Sequence, residues 1–226
     1  MSTPNRNSGS LLIRLAAGLA VTGLAVVAGF TFVARPWYLR WGATDAELQM
    51  PLPGDEYIPS PVGAMPTRAI TIQATPAEIW PWLAQLGAGK GGFYSYTQVE
   101  GLLNCPIVNA DRIHAEWQNI QPGDPVKMCP GDFGPPPYIV IAVLPERALI
   151  IGHAPASEAE IVAGAEWFDT WAFVLEPVDE NSTRLIVRYR NSIEASWTRI
   201  VEPGFFIMER GMLLGIKDRA ERQTNA

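Results

Sequence analysis

The chain reads as an α+β protein: an antiparallel sheet wrapped around a long C-terminal helix, preceded by one N-terminal transmembrane helix. Three stretches predict it. Residues 67–86, TRAITIQATPAEIWPWLAQL, pass from a short alternating strand into a Pro-started, Trp-rich helix. Residues 203–222, PGFFIMERGMLLGIKDRAER, place apolar side chains at helical spacing. Between them lie several strand-like runs. Strand and helix first, sheet in the middle and long helix last is a plan that encloses a cavity.

Taken in chain order, residues 1–14 are a tail. Residues 15–34, LAAGLAVTGLAVVAGFTFVA, carry no charge. At ~1.5 Å per residue they span roughly 30 Å, the thickness of a bilayer core. Arg14 and Arg35 bound the run, and Trp37, Tyr38 and Trp41 follow where an interfacial aromatic belt would sit. A cleaved signal peptide has an apolar stretch of only about 7–15 residues. The expectation is therefore an uncleaved single-pass anchor. Arg6 and Arg14 precede it and Arg35 and Arg40 follow it, so the positive-inside rule leaves the side of the following domain open.

Residues 35–66 read as an interfacial segment and a linker. Pro51, Pro53, Pro59, Pro61 and Pro66, with Gly54 and Gly63, favour extended polyproline-like chain that would hold a domain off the membrane.

The main domain is expected over 67–222, with a short tail at 223–226. Arg68, Ile70 and Ile72 alternate with Thr67, Ala69 and Thr71, the period of a strand. Thr75-Pro76 then opens a helix, with Thr75 as N-cap and Glu78 completing a capping box. Ile79, Trp82, Leu83 and Leu86 form its apolar face, and Gly87 stops it. A second helix is expected over 96–103. Strands are expected at 125–129, 138–144, 147–153, 166–176 and 183–191, the last two joined by the polar turn 179–182. Leu185, Val187 and Tyr189 share one face of the last strand, and Arg184, Arg188 and Arg190 the other. One face should pack inward and one should be wet. In the closing helix Phe205, Met208, Met212 and Ile216 recur at spacings of three and four.

Composition narrows the function. Of 226 residues 48% are hydrophobic and 18% charged, which suits a well-filled core. Residues 1–41 hold four Arg and no acid; the remainder carries 13 basic and 23 acidic residues, a net of −10. A domain that acidic is a poor partner for nucleic acid. Two Cys, Cys105 and Cys129, and two His, His114 and His153, lack the short paired spacing of zinc sites. No metal and no cofactor is expected, and a Cys105–Cys129 disulfide stays open.

Residues 69–80, AITIQATPAEIW, form a strand-to-helix entry that resembles the START-related, polyketide-cyclase-like superfamily (SRPBCC). The segment 91–96, GGFYSY, and the terminal helix support the same reading. The resemblance covers residues 67–222. It implies the helix-grip fold, and a function among lipid carriers, hydrophobic-ligand receptors and aromatic cyclases.

Candidate site residues follow from the faces. Asp169 shares a strand face with Trp167, Trp171 and Phe173, which should point inward; a carboxyl there must be paired, hydrated or neutralised. Those four, with Tyr189, Phe205, Met208 and Met212, are the expected lining of the cavity. Tyr94 and Tyr96 are candidate ligand contacts through their hydroxyls. Glu209 either faces the same space or lies on a solvated flank. Asp169 is also a candidate acid–base group, as is His114, which sits among Asp111, Arg112 and Glu116. Residues 87–92, GAGKGG, match G-x-G-x-x-G but follow a helix rather than a strand, and Lys90 is followed by Gly91, so neither a dinucleotide nor a Walker site is expected. That stretch reads as a loop at the cavity mouth.

The function expected is a membrane-anchored binding or carrier protein for a hydrophobic small molecule or lipid. Two alternatives stand beside it: a polyketide cyclase- or dehydratase-like enzyme, and an interaction module with a filled core.

Overall fold

The computed structural model describes residues 28–102, 104–131, 134–155, 166–193 and 198–224, with positions 19, 22, 23 and 25. The chain divides into two compact units, residues 1–38 and 39–226. In the first, a π-helical turn at Phe30–Ala34 continues into helix α1, Arg35–Leu39, with Phe32 and Val33 exposed. Residues 15–18, 20, 21, 24, 26 and 27 of the apolar run lie outside the described residues. Among the described residues no helix is long and apolar enough to cross a membrane.

The second unit is built on six antiparallel strands: β1 (Thr67–Ile72), β2 (Pro125–Val126), β3 (Tyr138–Leu144), β4 (Ala148–His153), β5 (Asp169–Pro177) and β6 (Thr183–Asn191), in the order β1-β6-β5-β4-β3-β2. β2 is shorter than the apolar pattern suggests because the chain leaves the sheet towards Cys129, which is disulfide-bonded to Cys105.

Helix α2 (Asp45–Gln49) precedes the sheet, α3 (Pro76–Ala84) and α4 (Thr97–Leu102) follow β1, and α5 (Thr198–Thr224) closes the chain. The capping box at Thr75 and Glu78 starts α3 as its sequence dictates, and Ile79, Trp82 and Leu83 are buried.

The strand period puts Trp171, Phe173 and Leu175 of β5 opposite Tyr189, Val187 and Leu185 of β6, on the face that α3 and α5 cover. Each fully buried side chain of this size contributes about 1.5–3 kcal/mol. Met212, Leu213, Ile216 and Ala220 of α5 complete that core.

The register of α5 differs from the simple reading at one point. Phe206 is buried, while Phe205 is 60% exposed. Gly211 and Gly215, four apart, let the backbone at 94–96 lie directly on α5. A Cβ on Gly215 would fall 2.0 Å from the Tyr94 carbonyl oxygen, and one on Gly211 2.7 Å from the Tyr96 ring.

The opposite face of the sheet is not wet. Ala69, Ala148, Ile150, Ala172, Val174 and Ile186 form a second core there, closed by Leu52. The Pro-rich segment read as an extended linker is the cover. Arg184 bonds Glu47, and Arg188 bonds Asp55 and the Glu47 and Met50 carbonyls. Arg190 pairs with Asp55. A rich set of prolines excludes regular ladders, but it leaves carbonyls free to accept from arginines, and three arginines on one strand face supply the donors.

Candidate functional site

Three strand ends converge at one end of the face covered by α5, where β4 and β6 finish and β5 begins. Register sets Asp169 between His153 and Asn191. Gly152 allows the close approach, because a Cβ there would sit 2.3 Å from the Asp169 carbonyl oxygen.

Asp169 is 3% exposed. Its Oδ1 accepts the His153 backbone N–H at 2.8 Å, and both carboxyl oxygens lie 3.0 Å from His153 Nδ1. Tyr189 donates its hydroxyl to Oδ2 at 2.7 Å. The other ring nitrogen, Nε2, meets the Pro136 carbonyl at 3.1 Å. An imidazole whose two nitrogens both face acceptors is suited to carry a proton on each.

The electrostatics agree. Burial works against the charged ring, but the Asp169 hydrogen bond and charge, with the Pro136 carbonyl, outweigh it and hold His153 above its ordinary pKa. The Tyr138 ring lies on the imidazole at 3.9 Å. Burial first, then the charge of Asp169, pushes the Tyr138 phenol up; burial and the neighbouring Tyr138 do the same to Tyr189. Both phenols therefore stay protonated and can donate.

A second polar pair lies beyond Trp171. Glu209 of α5 accepts from Arg68 Nη1 at 2.7 Å and from the Trp171 indole N–H at 3.1 Å. Arg68 also lies 5.2 Å over the Phe206 ring. Around both pairs the wall is aromatic: Phe93 stacks on Trp171 at 6.3 Å, Tyr138 tilts against it at 5.7 Å and Phe173 at 4.9 Å. Such an array can orient a carbonyl or hydroxyl group and hold a proton in a water-poor place. Among the described residues no group of His, Cys, Asp and Glu could hold a metal ion.

Of the residues singled out in the sequence, Asp169, Trp171, Phe173 and Tyr189 share this face, and Met212 is buried in the same core. Trp167 is half-buried just ahead of β5. The others stand apart. Phe205 faces water, one residue out of register with the buried Phe206. Half-buried Met208 lies against Ser95, whose hydroxyl donates to its carbonyl. Tyr94 donates its hydroxyl to the Trp82 carbonyl at 3.0 Å and carries Arg219 over its ring, so its phenol is committed to the scaffold. Tyr96 lies on the outer side of α5, 40% exposed. His114 sits elsewhere, stacked on Trp117 and bonded to exposed Glu116 rather than buried beside a carboxyl.

His153, Tyr138 and Arg68 belong to the site and were not legible as members. The signal that reaches His153 is register, since a β4–β5 pairing with Gly152 at the close approach sets it beside Asp169. Phe173, Leu175 and Val187 are sealed in packed core, and two pockets among the described residues lie off this face. One, about 350 Å3, is lined by Trp82, Arg112 and Arg219; the other, about 440 Å3, by Lys90, Val108 and Trp117. The 87–92 loop rims the second, so it does not guard the concave face.

No protein-family model matches the chain, and no curated protein does. Solved structures align with it at low identity. The Aha1 dimer from Colwellia psychrerythraea is 18% identical, with a TM-score of 0.39 over 70% of this chain and 97% of its own. Norcoclaurine synthase from Thalictrum flavum, in complex with dopamine and hydroxybenzaldehyde, is 16% identical, with a TM-score of 0.40 over 78% and 94%. A protein from Thermobifida fusca is 12% identical, with a TM-score of 0.45 over 71% and 95%. Likeness at this level carries no statement about activity.

Proposed function

We propose that residues 67–222 form a helix-grip domain of the SRPBCC type that binds a small apolar molecule at the aromatic end of its concave face. Residues 15–34 tether it to a membrane. The carrying observation is the buried cluster in which Tyr189 and His153 bond Asp169 and the Tyr138 ring lies on His153. Titratable groups converging inside an aromatic wall weaken a core unless they meet something there, and perturbed groups of this kind cluster at binding and active sites.

The test is titration of the full-length protein with Nile red, a neutral apolar dye. Saturable binding at one dye per chain is expected, weakened at least fivefold in Tyr189→Phe and in Tyr138→Phe. Binding that is absent, or unchanged in both variants, favours the filled-core interaction module.

A second reading, catalysis of the cyclase or dehydratase kind, draws on the same His153–Asp169 pair as an acid–base group. Its Nε2 is held by the Pro136 carbonyl, so this reading requires that bond to open. Turnover of a polyketide-like substrate that is lost in Asp169→Asn, with dye binding retained, would select it.

The Cys105–Cys129 disulfide fits an oxidising compartment. Taken with the proposed anchor, it supports an orientation with residues 1–14 on the cytoplasmic side and the domain outside. Carbonate extraction of membranes should leave the chain in the pellet. Alkylation of intact cells should leave both cysteines unlabelled until a reductant is added; cysteines labelled without reductant would overturn this orientation.

A further inference from the structure

The 87–92 loop has no part in the concave site, yet its geometry is well defined. Gly87 and Gly92 pair across it, the Lys90 N–H donates to the Gly87 carbonyl at 3.1 Å, and Gly91 accepts the Ala110 N–H. Gly89 adopts φ +84°, which a side chain resists, and this turn presents Lys90 at the rim of the 440 Å3 pocket. Opposite stand Pro106 and Pro130. Each directly follows one of the two bridged cysteines, whose Cα atoms are 5.2 Å apart, so the disulfide clips the two proline walls together. Trp117, stacked on His114 at 4.0 Å, forms a flat wall, and Val108, 83% exposed, adds an aliphatic one.

The charges there are one-sided. Among the described residues no Asp or Glu lines the pocket. Lys217, Arg184, Arg188 and Arg219 are all taken up by acids, whereas the Lys90 ammonium has no hydrogen-bond or ion-pair partner among the described residues. In a domain of net negative charge, an apolar pocket whose rim carries an ammonium unpaired among the described residues complements one kind of occupant. The body must be apolar or aromatic, to cover Trp117 and the prolines. One end must be anionic, to meet Lys90. The volume lies within the range of small-molecule sites.

We infer that the pocket between the Gly87–Gly92 hairpin and the Cys105–Cys129 clip is a second binding site, separate from the concave face, for a small apolar carboxylate held by Lys90 and stacked on Trp117. The disulfide is part of the site because it fixes the spacing of Pro106 and Pro130.

Calorimetric titration of the full-length protein with 1-naphthoate and with its neutral counterpart 1-naphthylmethanol tests it. Naphthoate should bind one per chain, at least tenfold more tightly than the alcohol. Lys90→Gln should abolish that preference and Lys90→Arg should keep it, both being changes at an exposed hairpin tip that leave the fold intact. Trp117→Ala should weaken both probes, and reduction of the disulfide should weaken naphthoate several-fold. Equal affinity for the two probes, no binding of either, or a preference that survives Lys90→Gln overturns the inference. If the preference instead disappears in Tyr189→Phe, the carboxylate sits on the concave face and the second site does not exist.

Discussion

The two faces of the sheet bury charge in different ways. On the outer face Arg184, Arg188 and Arg190 reach into residues 42–58 and spend their donors on fixed acceptors: Glu47, Asp55 and the carbonyls of Gly42, Glu47, Met50 and Ile58. Apart from Thr67 and Thr71 of the neighbouring β1, the partners belong to the same short stretch of chain, and the result is a clasp. On the concave face the polar groups are fewer, are mostly titratable, and sit among aromatic rings. His153, Asp169, Tyr189 and Tyr138 come from four different strands; His153 and Tyr189 both bond Asp169, and the Tyr138 ring lies on His153. The contrast separates charge locked to fixed acceptors from charge held among titratable groups. A guanidinium saturated by local carbonyls cannot respond to anything else, whereas a cluster of phenols, carboxyl and imidazole can shift a proton or turn a donor outward.

Breaking the clasp should have the largest effect. Arg188→Ala takes one of its two arginines from Asp55 and the donor from the Glu47 and Met50 carbonyls, and breaking a buried pair from one side costs about 3–5 kcal/mol. Urea unfolding should show that loss, and limited proteolysis should cut within 42–58. Resistance to cleavage equal to the parent protein would mean that the segment is held by Leu52 and its apolar neighbours alone.

The closing helix offers a control that belongs to neither polar set. Met212 is buried against the concave core, so Met212→Asp, which inserts an unpaired charge, should cost about 3 kcal/mol or more. Phe205→Asp, two turns earlier on a water-facing position, should be close to neutral. Equal effects of the two would mean the helix register is wrong.

The concave cluster makes a pH-dependent prediction whose sign is set by His153. Its folded pKa is raised, so its contribution is complete below the ordinary histidine value and is lost as pH rises through the raised folded value. Melting temperature should therefore fall on going from neutral to mildly alkaline pH. His153→Gln should flatten that part of the profile. An identical profile in the variant would remove His153 from the account.

A smaller effect is expected at Glu100 of α4, which is 3% exposed with neither carboxyl oxygen hydrogen-bonded; burial pushes its pKa up. The sign is opposite in consequence to that of a paired acid: stability is lost as pH rises from the ordinary glutamate value through the raised one. Glu100→Gln should stabilise the protein at neutral pH by about 1 kcal/mol. Smallest of all is the solvated Arg222–Asp218 pair, where Asp218→Ala should change stability by less than about 0.5 kcal/mol.

Local patterns in the sequence determined a good deal here. Thr75-Pro76 with Glu78 starts α3 because a capping box and a proline at the first helical position satisfy the same free N–H groups in any context. β1, β3 and β6 follow from alternation at the positions where it occurs, and Asp169 stood out because strand period alone turned it inward. Tertiary structure decided the rest. That residues 42–58 cover the sheet depends on arginines more than a hundred positions away, so composition read them as a spacer. That Phe206 rather than Phe205 is buried depends on where α5 meets Arg68 and Trp171, since a helix carrying apolar residues on both positions leaves a one-residue rotation undetermined. That His153 and Tyr138 join Asp169 depends on the pairing of β3, β4, β5 and β6. The periods of 2 and 3.6 are properties of a segment by itself, whereas a buried hydrogen bond between strands exists only once their register is set.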